Sequence, residues 1–319
     1  MNILLNQLIN KHSNFYEMVD AKYKDYLWNL RLINVESLWN KGVEDKLKQI
    51  KIAIIDSGID HSHNDLKNIE RQGFNFIDNS LDLRDDFGHG TKINGIIAGS
   101  RNGEGICGIA SEANIFNLKV INHSGTGRVR NIIEAFRWSI ENKMDIINMS
   151  IGHPADIDSE GDTFKRLILE ERKIIREAIE LGIVIVGAVG NVPGIASQVP
   201  ACYEGVIPVA SYGVFNTNPI KFYPSQLNSN YDSKTIFAPG EHILTTIKGN
   251  SYGYDSGSSM SAAHITGIVG YLKAMNNRLN SRQIHKILIE TSSTLETNKS
   301  HINIVNTEKA IEQVELIVC

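Results

Sequence analysis

The sequence predicts an α/β protein, a single doubly wound domain with a mainly parallel sheet flanked by helices. Apolar runs of strand length, rich in isoleucine and valine, alternate along the chain with amphipathic runs of helix length. The strand runs are apolar at nearly every position, which is typical of parallel strands covered by helices on both faces. No repeat, low-complexity stretch or linker rich in proline and glycine divides the 319 residues, so one domain is expected.

The predicted elements follow in chain order. The strands are residues 51–56, 115–121, 145–150, 183–188 and 206–210. The amphipathic helices are residues 127–143 and 164–182, where apolar residues recur at spacings of three and four. Two further helices are expected, one entered through Thr91 and one beginning at about Met260. Because the working groups of such a sheet lie at the carboxyl ends of its strands, the segments after the strands are the place to search for a site.

Composition excludes several classes of protein. The net charge is −4 with both signs interspersed, so there is no basic stripe and no nucleic-acid partner is expected. No apolar run is long enough to span a membrane and the first residues lack a secretory-signal pattern, so we expect a cytoplasmic protein with no membrane partner. The charge cluster from Glu170 to Lys173 is interpreted as a solvated helix face. The cysteines lack metal-type spacing and are expected to be ordinary small apolar residues: Cys107, Cys202 and Cys319.

Four side chains that suit nucleophilic catalysis lie at the ends of predicted elements. Asp56 ends the first strand, His89 lies between two glycines before a helix, and Ser259 is one of four serines in residues 256–261. Histidine is the usual general base near neutral pH, and a serine at a helix start lies where developing negative charge is favoured. Asn191 follows the fourth strand, where its amide can donate to an oxyanion. Each position also has an ordinary interpretation as a turn or capping residue.

The chain order Asp, His, Ser is the order found in subtilisin, and the surrounding segments strengthen the likeness. DSGIDHSHNDL, GHGTKINGIIAG, INMSIG, GNVPG and GSSMSAAHITG resemble, in this order, the marker segments of the subtilisin-like serine proteases, the subtilase family. The likeness runs from about Trp28 to Val314. It predicts an N-terminal extension over residues 1–27, too short for a classical prodomain, and a peptidase domain over 28–319. The extension is expected to form either a strap over the cleft or part of the domain surface.

The resemblance implies a subtilisin-like fold and a role for each candidate residue. Ser259 is implied to be the nucleophile and His89 its base, while Asp56 orients and stabilises the imidazolium. Asn191 and the backbone N–H of Ser259 are implied to form the oxyanion hole. Ser258 stands where the family usually has threonine. The remaining serines and several histidines are expected to be structural: Ser256, Ser261, His61, His63 and His264.

The resemblance also implies that a peptide substrate binds as an extended strand between two edges of the protein. The residues of these edges are Ser124, Gly125, Thr126 and Gly127 on one side and Ser150, Ile151 and Gly152 on the other. Gln198 lies near the floor of the first specificity pocket, and without an acidic residue there a strict preference for Arg or Lys is not indicated. No cofactor is expected to be required. The resemblance allows structural calcium, as in secreted members of the family, but assigns no ligands to it. A monomer is expected.

Within the family, the short form without a signal or wall anchor resembles the cytoplasmic leader peptidases that mature lantibiotic precursors. An intracellular protease without a large inhibitory prodomain endangers its own cell unless its specificity is narrow or its activity is gated. A dedicated processing endopeptidase is therefore predicted. Two alternatives stay open: a general intracellular subtilisin that degrades unfolded protein, and an inactive subtilase-like scaffold that only binds peptides.

Overall fold

Helices and strands alternate along the chain in the computed structural model, which describes residues 19–153, 162–215, 221–296 and 301–318. The helices are α1 (Trp28–Leu32), α2 (Glu36–Trp39), α3 (Glu44–Leu47), α4 (His89–Ala98), α5 (Val129–Glu141), α6 (Asp162–Glu180), α7 (Ser258–Met275), α8 (Ser281–Thr291) and α9 (Thr307–Val318). The strands are β1 (Lys51–Asp56), β2 (Gly73–Asn75), β3 (Asn114–Lys119), β4 (Ile146–Met149), β5 (Val184–Ala188), β6 (Ile207–Phe215), β7 (Lys221–Pro224), β8 (Ile236–Pro239), β9 (Ile243–Ile247), β10 (Ser251–Asp255), β11 (Ser293–Glu296) and β12 (His301–Ile304).

Ten of these strands form one sheet in the order β11-β12-β8-β6-β5-β4-β1-β3-β2, with β7 paired to β6. Every neighbouring pair is parallel except β11 with β12 and β6 with β7. Strands β9 and β10 form a separate antiparallel hairpin. The predicted doubly wound, mainly parallel sheet is confirmed. Since β3 and β4 flank β1, the segments that follow them lie on either side of Asp56, the last residue of β1.

Two apolar layers cover the sheet, one on each face. Successive residues of β1 enter opposite layers, because side chains alternate along a strand. Ile52 and Ile54 pack in the same cluster as residues of α4 and α7, whereas Ala53 and Ile55 pack with residues of α5 and α6. Helix α7 is buried along nearly its whole length, and α6 buries only one face. The layer that contains Ile52 and Ile54 therefore encloses α4, which begins at His89, and α7, whose first turn contains Ser259.

Some boundaries and burials differ from the sequence predictions. Helix α4 begins at His89 and α7 at Ser258, each two residues earlier than expected. The interpretation of residues 170–173 as a solvated face is wrong for Glu171, which is 0% exposed. Among the cysteines, Cys107 is buried, and burial raises the pKa of its thiol to about 12. Cys202 is instead exposed, and Cys319 lies outside the described residues.

The described part of the N-terminal extension packs on the domain. Val19 and Leu27 are buried in the same apolar cluster as Trp28. Tyr23 and Tyr26 contact the β9–β10 hairpin through Tyr252 and Tyr254, with ring centroids 4.6 and 6.4 Å apart. None of the helices, as far as they are described, has the length and apolar character needed to span a membrane.

Candidate active site

Asp56 and His89 are brought together at the end of β1. The Nδ1 atom of His89 lies 2.9 Å from both carboxylate oxygens of Asp56. Asp56 is 1% exposed, and its Oδ1 also accepts the Ser57 N–H at 2.7 Å. A buried carboxylate in contact with Nδ1 favours the tautomer that carries its proton on Nδ1. The other ring nitrogen, Nε2, is thereby left to accept a proton.

The turn before His89 is held by Asp85, a residue that the sequence analysis missed. One carboxylate oxygen of Asp85 accepts the backbone N–H groups of Phe87 and Gly88, at 3.1 and 2.6 Å. The other oxygen accepts the N–H and the hydroxyl of Thr91, at 2.8 and 2.6 Å. Asp85 thus satisfies N–H groups at the start of α4 and fixes His89. An aspartate shortly before a helix start was the available signal.

The charges around His89 set its pKa. Burial by itself lowers the pKa, but the Asp56 charge and hydrogen bond outweigh it, so the pKa of His89 lies above its usual 6.5. Asp255 raises the pKa further and Lys92 lowers it. Lys92, on the helix of His89, forms a 2.7 Å ion pair with Asp255, four residues before Ser259. This ion pair joins the helix of the candidate base to the end of β10, just before the turn that leads into the helix of the candidate nucleophile.

Ser259 lies in the first turn of α7 and is 8% exposed. Its hydroxyl donates to the backbone carbonyl of Ser150 at 2.7 Å, and the Ser150 hydroxyl donates back to the Ser259 carbonyl at 3.1 Å. This reciprocal pair fixes the end of β4 against the start of α7. Asn148 donates to the Ser150 hydroxyl and accepts from Thr266, so a buried polar chain supports the contact from within the sheet.

Asn191 is held by Ser258 next to the candidate nucleophile. Its Oδ1 accepts the backbone N–H of Ser258 at 2.8 Å and the Ser258 hydroxyl at 3.0 Å. Because a backbone N–H can only donate, the accepting atom is the oxygen, and the Nδ2 protons are left to donate elsewhere. The Ser258 hydroxyl also accepts the Gly190 N–H at 3.1 Å. Gly257 has φ 148°, and a Cβ there would lie 2.9 Å from Asn191 Nδ2, so this close approach requires glycine.

The other serines and histidines of the marker segments make structural contacts. The Ser256 hydroxyl accepts the His242 N–H, and the Ser261 hydroxyl lies 3.0 Å from the carbonyls of Ala238 and Pro239.

The histidines of these segments also contact backbone carbonyls. His63 contacts the Ser251 carbonyl at 2.9 Å, and His264 contacts the Met260 carbonyl at 2.7 Å. His61 is half-buried, and burial, followed by Arg71, lowers its pKa.

The two predicted substrate edges follow the strands that flank β1. After β3, Gly127 pairs with Ile121, and Asn122 accepts the N–H groups of Ser124 and Thr126 at 2.9 and 3.1 Å. Gly125 is covered by the ring of Phe87, since a Cβ at Gly125 would lie 2.7 Å from that ring. After β4, the second edge runs from Ser150 through Ile151 to Gly152. The edges therefore start at the carboxyl ends of strands on either side of Asp56.

Gln198 lies between the second edge and the segment of Asn191. A Cβ at Gly152 would lie 3.1 Å from the Cβ and Oε1 of Gln198, and a Cβ at Gly190 would lie 2.8 Å from its Cδ. The Gln198 N–H donates to the Val189 carbonyl at 3.0 Å. The side chain thus lies between Gly152 and Gly190 and is uncharged. Within the described ranges, no group of three or more His, Cys, Asp or Glu side chains could hold a metal ion.

The comparison of sequences decides the family. A model described as the Subtilase family matches residues 47–308. The chain belongs to this family. It is 33% identical over 287 residues to the major intracellular serine protease of Bacillus subtilis (strain 168), a match that covers 85% of this chain and 84% of that protein. It is 31% identical to the intracellular serine protease of Paenibacillus polymyxa, a match that covers 80% of this chain and 75% of that protein. The subtilase is therefore a serine endopeptidase.

Solved structures show the same fold. Fervidolysin from Fervidobacterium pennivorans, described as a keratinolytic enzyme related to subtilisin, matches with a TM-score of 0.80 and 23% identity. That match covers 94% of this chain and 47% of fervidolysin. A cold-adapted subtilisin-like serine proteinase matches with a TM-score of 0.68 and 23% identity, over 81% of this chain and 88% of that one. The predicted subtilisin-like fold is confirmed.

Proposed function

We propose that this subtilase cleaves peptide bonds through Asp56, His89 and Ser259. The observation that carries the proposal is the contact of His89 Nδ1 with the buried Asp56 carboxylate. It leaves Nε2 free to take the proton of the Ser259 hydroxyl. For this step the hydroxyl exchanges its hydrogen bond with the Ser150 carbonyl for one with His89, by rotation about the Cα–Cβ bond. The oxygen then attacks the substrate carbonyl, and the C–N bond breaks as His89 gives the proton to the leaving amine, while Asp56 stabilises the imidazolium. A water molecule, deprotonated by His89, then releases the acyl group from Ser259 and restores the hydroxyl.

The charge that develops on the carbonyl oxygen is stabilised by Asn191 and by the start of α7. Asn191 presents Nδ2 because Ser258 holds its Oδ1. The backbone N–H of Ser259 lies in the first turn of α7, where helical N–H groups have no intrahelical acceptor. Donors fixed in this way before the reaction stabilise the transition state without reorganisation.

The substrate is proposed to be an extended polypeptide with an uncharged residue before the cleaved bond. Gln198 supplies no charge beside the specificity pocket, and the neighbouring loop exposes apolar side chains, with Val192 48% and Ile195 44% exposed. The uncharged Gln198 side chain supplies no counter-ion for a lysine or arginine side chain at this position. The protein is proposed to act as a monomer in the cytoplasm, without a required cofactor.

In the cell, general intracellular proteolysis is the first candidate role. Two relatives that match most of this chain are named intracellular serine proteases, and each match covers three quarters or more of the relative's own length. Removal of a leader from a precursor peptide, the role predicted from the sequence, is the second candidate. It is favoured by Phe87, which is 49% exposed two residues before His89 and packs over Gly125 of the first substrate edge, where a bulky side chain would narrow the cleft. A narrow cleft restricts the set of peptides that fit.

Cleavage profiling separates the two roles. The purified protein is incubated with a diverse peptide library, with Ser259→Ala as the control, and the cut sites are determined by mass spectrometry. Cuts spread over many sequences support general proteolysis and contradict leader removal. Cuts confined to a few related sequences support leader removal, and Phe87→Ala should then broaden the profile. A protein that neither cleaves nor reacts with a fluorophosphonate at Ser259 would be the peptide-binding scaffold instead.

A further inference from the structure

A pair of ionisable side chains, one half-buried and one buried, lies next to the second substrate edge. His153 directly follows Gly152, and its Nε2 lies 2.9 Å from Oε2 of Glu171 on α6. The Glu171 side chain is 0% exposed and that of His153 is 17% exposed. The other oxygen of Glu171 is buried and accepts no hydrogen bond from the described residues. Burying a carboxylate costs free energy of folding unless a partner compensates it, and here the partner is His153.

The backbone of His153 connects the two walls of the predicted specificity pocket. Its carbonyl accepts the Val199 N–H at 3.0 Å, and the two residues form an isolated antiparallel bridge. Val199 directly follows Gln198, whose side chain lies against Gly152. A displacement of His153 would therefore move both the substrate edge and the residue beside the pocket.

Glu171 connects the bridge between His153 and Val199 to the apolar layer that contains residues of α5 and α6. Neighbouring residues of α6, Ile174 and Ile175, are buried in the apolar cluster on that face, so the helix is a rigid support. The Glu171 charge is also close to the loop after Val199: burial and then this charge raise the pKa of Tyr203. Glu171 thus lies where α6 meets both His153, which follows the second substrate edge, and the loop after Val199.

We propose that Glu171 is a positioning residue for substrate binding, which acts through His153 to hold the Ser150–Gly152 edge and Gln198 in register. The inference rests on the proposed function, because it assigns Glu171 to the cleft of the same enzyme. Glu171 does not contact the substrate edge itself but the side chain of His153, the residue that follows the edge. It takes no part in the proton transfer. Its loss should weaken peptide binding and leave the reactivity of Ser259 unchanged, since Ser150 and Ser259 have their own reciprocal hydrogen bonds.

The test compares variants of the full chain in two assays. KM and kcat are measured with an internally quenched peptide chosen from the cleavage profile, and the rate of Ser259 labelling is measured with a small fluorophosphonate that does not occupy the edges. Glu171→Leu, which removes the acceptor at similar volume, should raise KM about tenfold, with kcat and the labelling rate within about twofold. Glu171→Gln retains an acceptor for His153 and should restore KM to within about threefold of the wild-type value.

Glu170→Gln is the matched control. Glu170 lies on the same helix but is exposed and pairs with Arg137, so its neutralisation should leave KM unchanged. If Glu171→Leu does not fold, the double substitution His153→Phe with Glu171→Leu replaces the pair by apolar groups and should show the same rise in KM. An unchanged KM in these variants would overturn the inference, also where the apparent kcat and the amount of labelled enzyme fall together with the folded fraction. Wild-type protein that takes no label and cleaves no peptide would overturn the proposed function, and the inference with it.

Discussion

His89 and His264 are two histidines on helices that pack against each other, and their environments shift their pKa values in opposite directions. His89 begins α4 and faces the Asp56 carboxylate at 2.9 Å. His264 lies in the second turn of α7, 0% exposed, with Nδ1 2.7 Å from the Met260 carbonyl and Nε2 2.7 Å from the Asn29 amide nitrogen. The pKa of His89 lies above its usual value, whereas burial lowers the pKa of His264 to about 4.

The hydrogen-bond partners of each ring determine which of the two histidines can act as a base. The His264 ring donates to a carbonyl and accepts from an amide, so both its nitrogens are satisfied while the ring is neutral. The ring of His89 has a charged acceptor on one side only, so the proton taken from a nucleophile is stabilised. Hence His264 fixes α1 against α7 through Asn29, and His89 is left to exchange protons.

The largest expected effect comes from removing the carboxylate that distinguishes the two histidines. In Asp56→Asn, an amide can donate to His89 Nδ1 and so moves the ring proton to Nε2, where it blocks acceptance of the Ser259 proton. We expect kcat/KM at neutral pH to fall by about 10⁴-fold, the size typical of this replacement in serine proteases. Steady-state kinetics on a profiled peptide measure it, with circular dichroism to show that the fold is retained. A loss below about tenfold would mean that Asp56 does not orient the base.

The second effect is a loss of stability at acid pH caused by His264. The folded protein keeps this ring neutral down to about pH 4, whereas the unfolded chain takes up a proton at the ordinary pKa of 6.5. The unfolded state therefore binds more protons between these values, and the free energy of unfolding should fall by about 3 kcal/mol as pH falls from 6.5 to 4, then level off. Urea unfolding at a series of pH values measures the change.

Two measurements isolate the contribution of His264 from that of the carboxylates. The His264→Gln variant should lack this contribution to the acid sensitivity. The difference between the free energies of unfolding of wild type and variant should therefore shrink as pH falls from 6.5 to 4. A constant difference would contradict the assignment. Should the variant not fold, an NMR titration of the wild-type imidazole should show no protonation of His264 above pH 5.

Sequence patterns predicted the parts of this structure that depend on local chemistry. Strand β1 has the predicted bounds, because four consecutive apolar residues and a terminal aspartate define it. The structure then places Asp56 against His89, and Asn191 beside Ser258, as neighbours that the marker segments could only imply. Short strands such as β11 and β12 were missed, because four-residue strands with polar positions carry little periodicity.

What the sequence could not supply is the pairing of distant polar groups. Glu171 lies in a run of alternating charges, and nothing local indicates that His153 covers it. Asp85 is one of two adjacent aspartates, and only its four hydrogen bonds show that it, rather than Asp86, holds the turn before His89. The hydroxyl orientation of Ser259 toward Ser150 depends on the meeting of β4 with α7, which are far apart in the chain.

The smallest effect concerns the pair Lys92 and Asp255, whose side chains are 28% and 30% exposed beside His89. The base acts when neutral, so kcat/KM should rise with pH through the pKa of His89, with a midpoint above 6.5. Because Asp255 raises that pKa and Lys92 lowers it, Asp255→Asn should move the midpoint down and Lys92→Gln should move it up. Solvent screens both charges, so each shift should be smaller than any effect of Asp56.

Asp45→Asn is the matched control for this pair, since Asp45 is an exposed carboxylate paired with Lys48 on a distant helix. Asp45→Asn should leave the midpoint of the pH dependence of kcat/KM unchanged. The shifts of Asp255→Asn and Lys92→Gln should also shrink in high salt, because the charges act through partly exposed space. Shifts of the same sign in both variants would show that the pair acts by holding α4 against the turn of Ser259, and not through its charges.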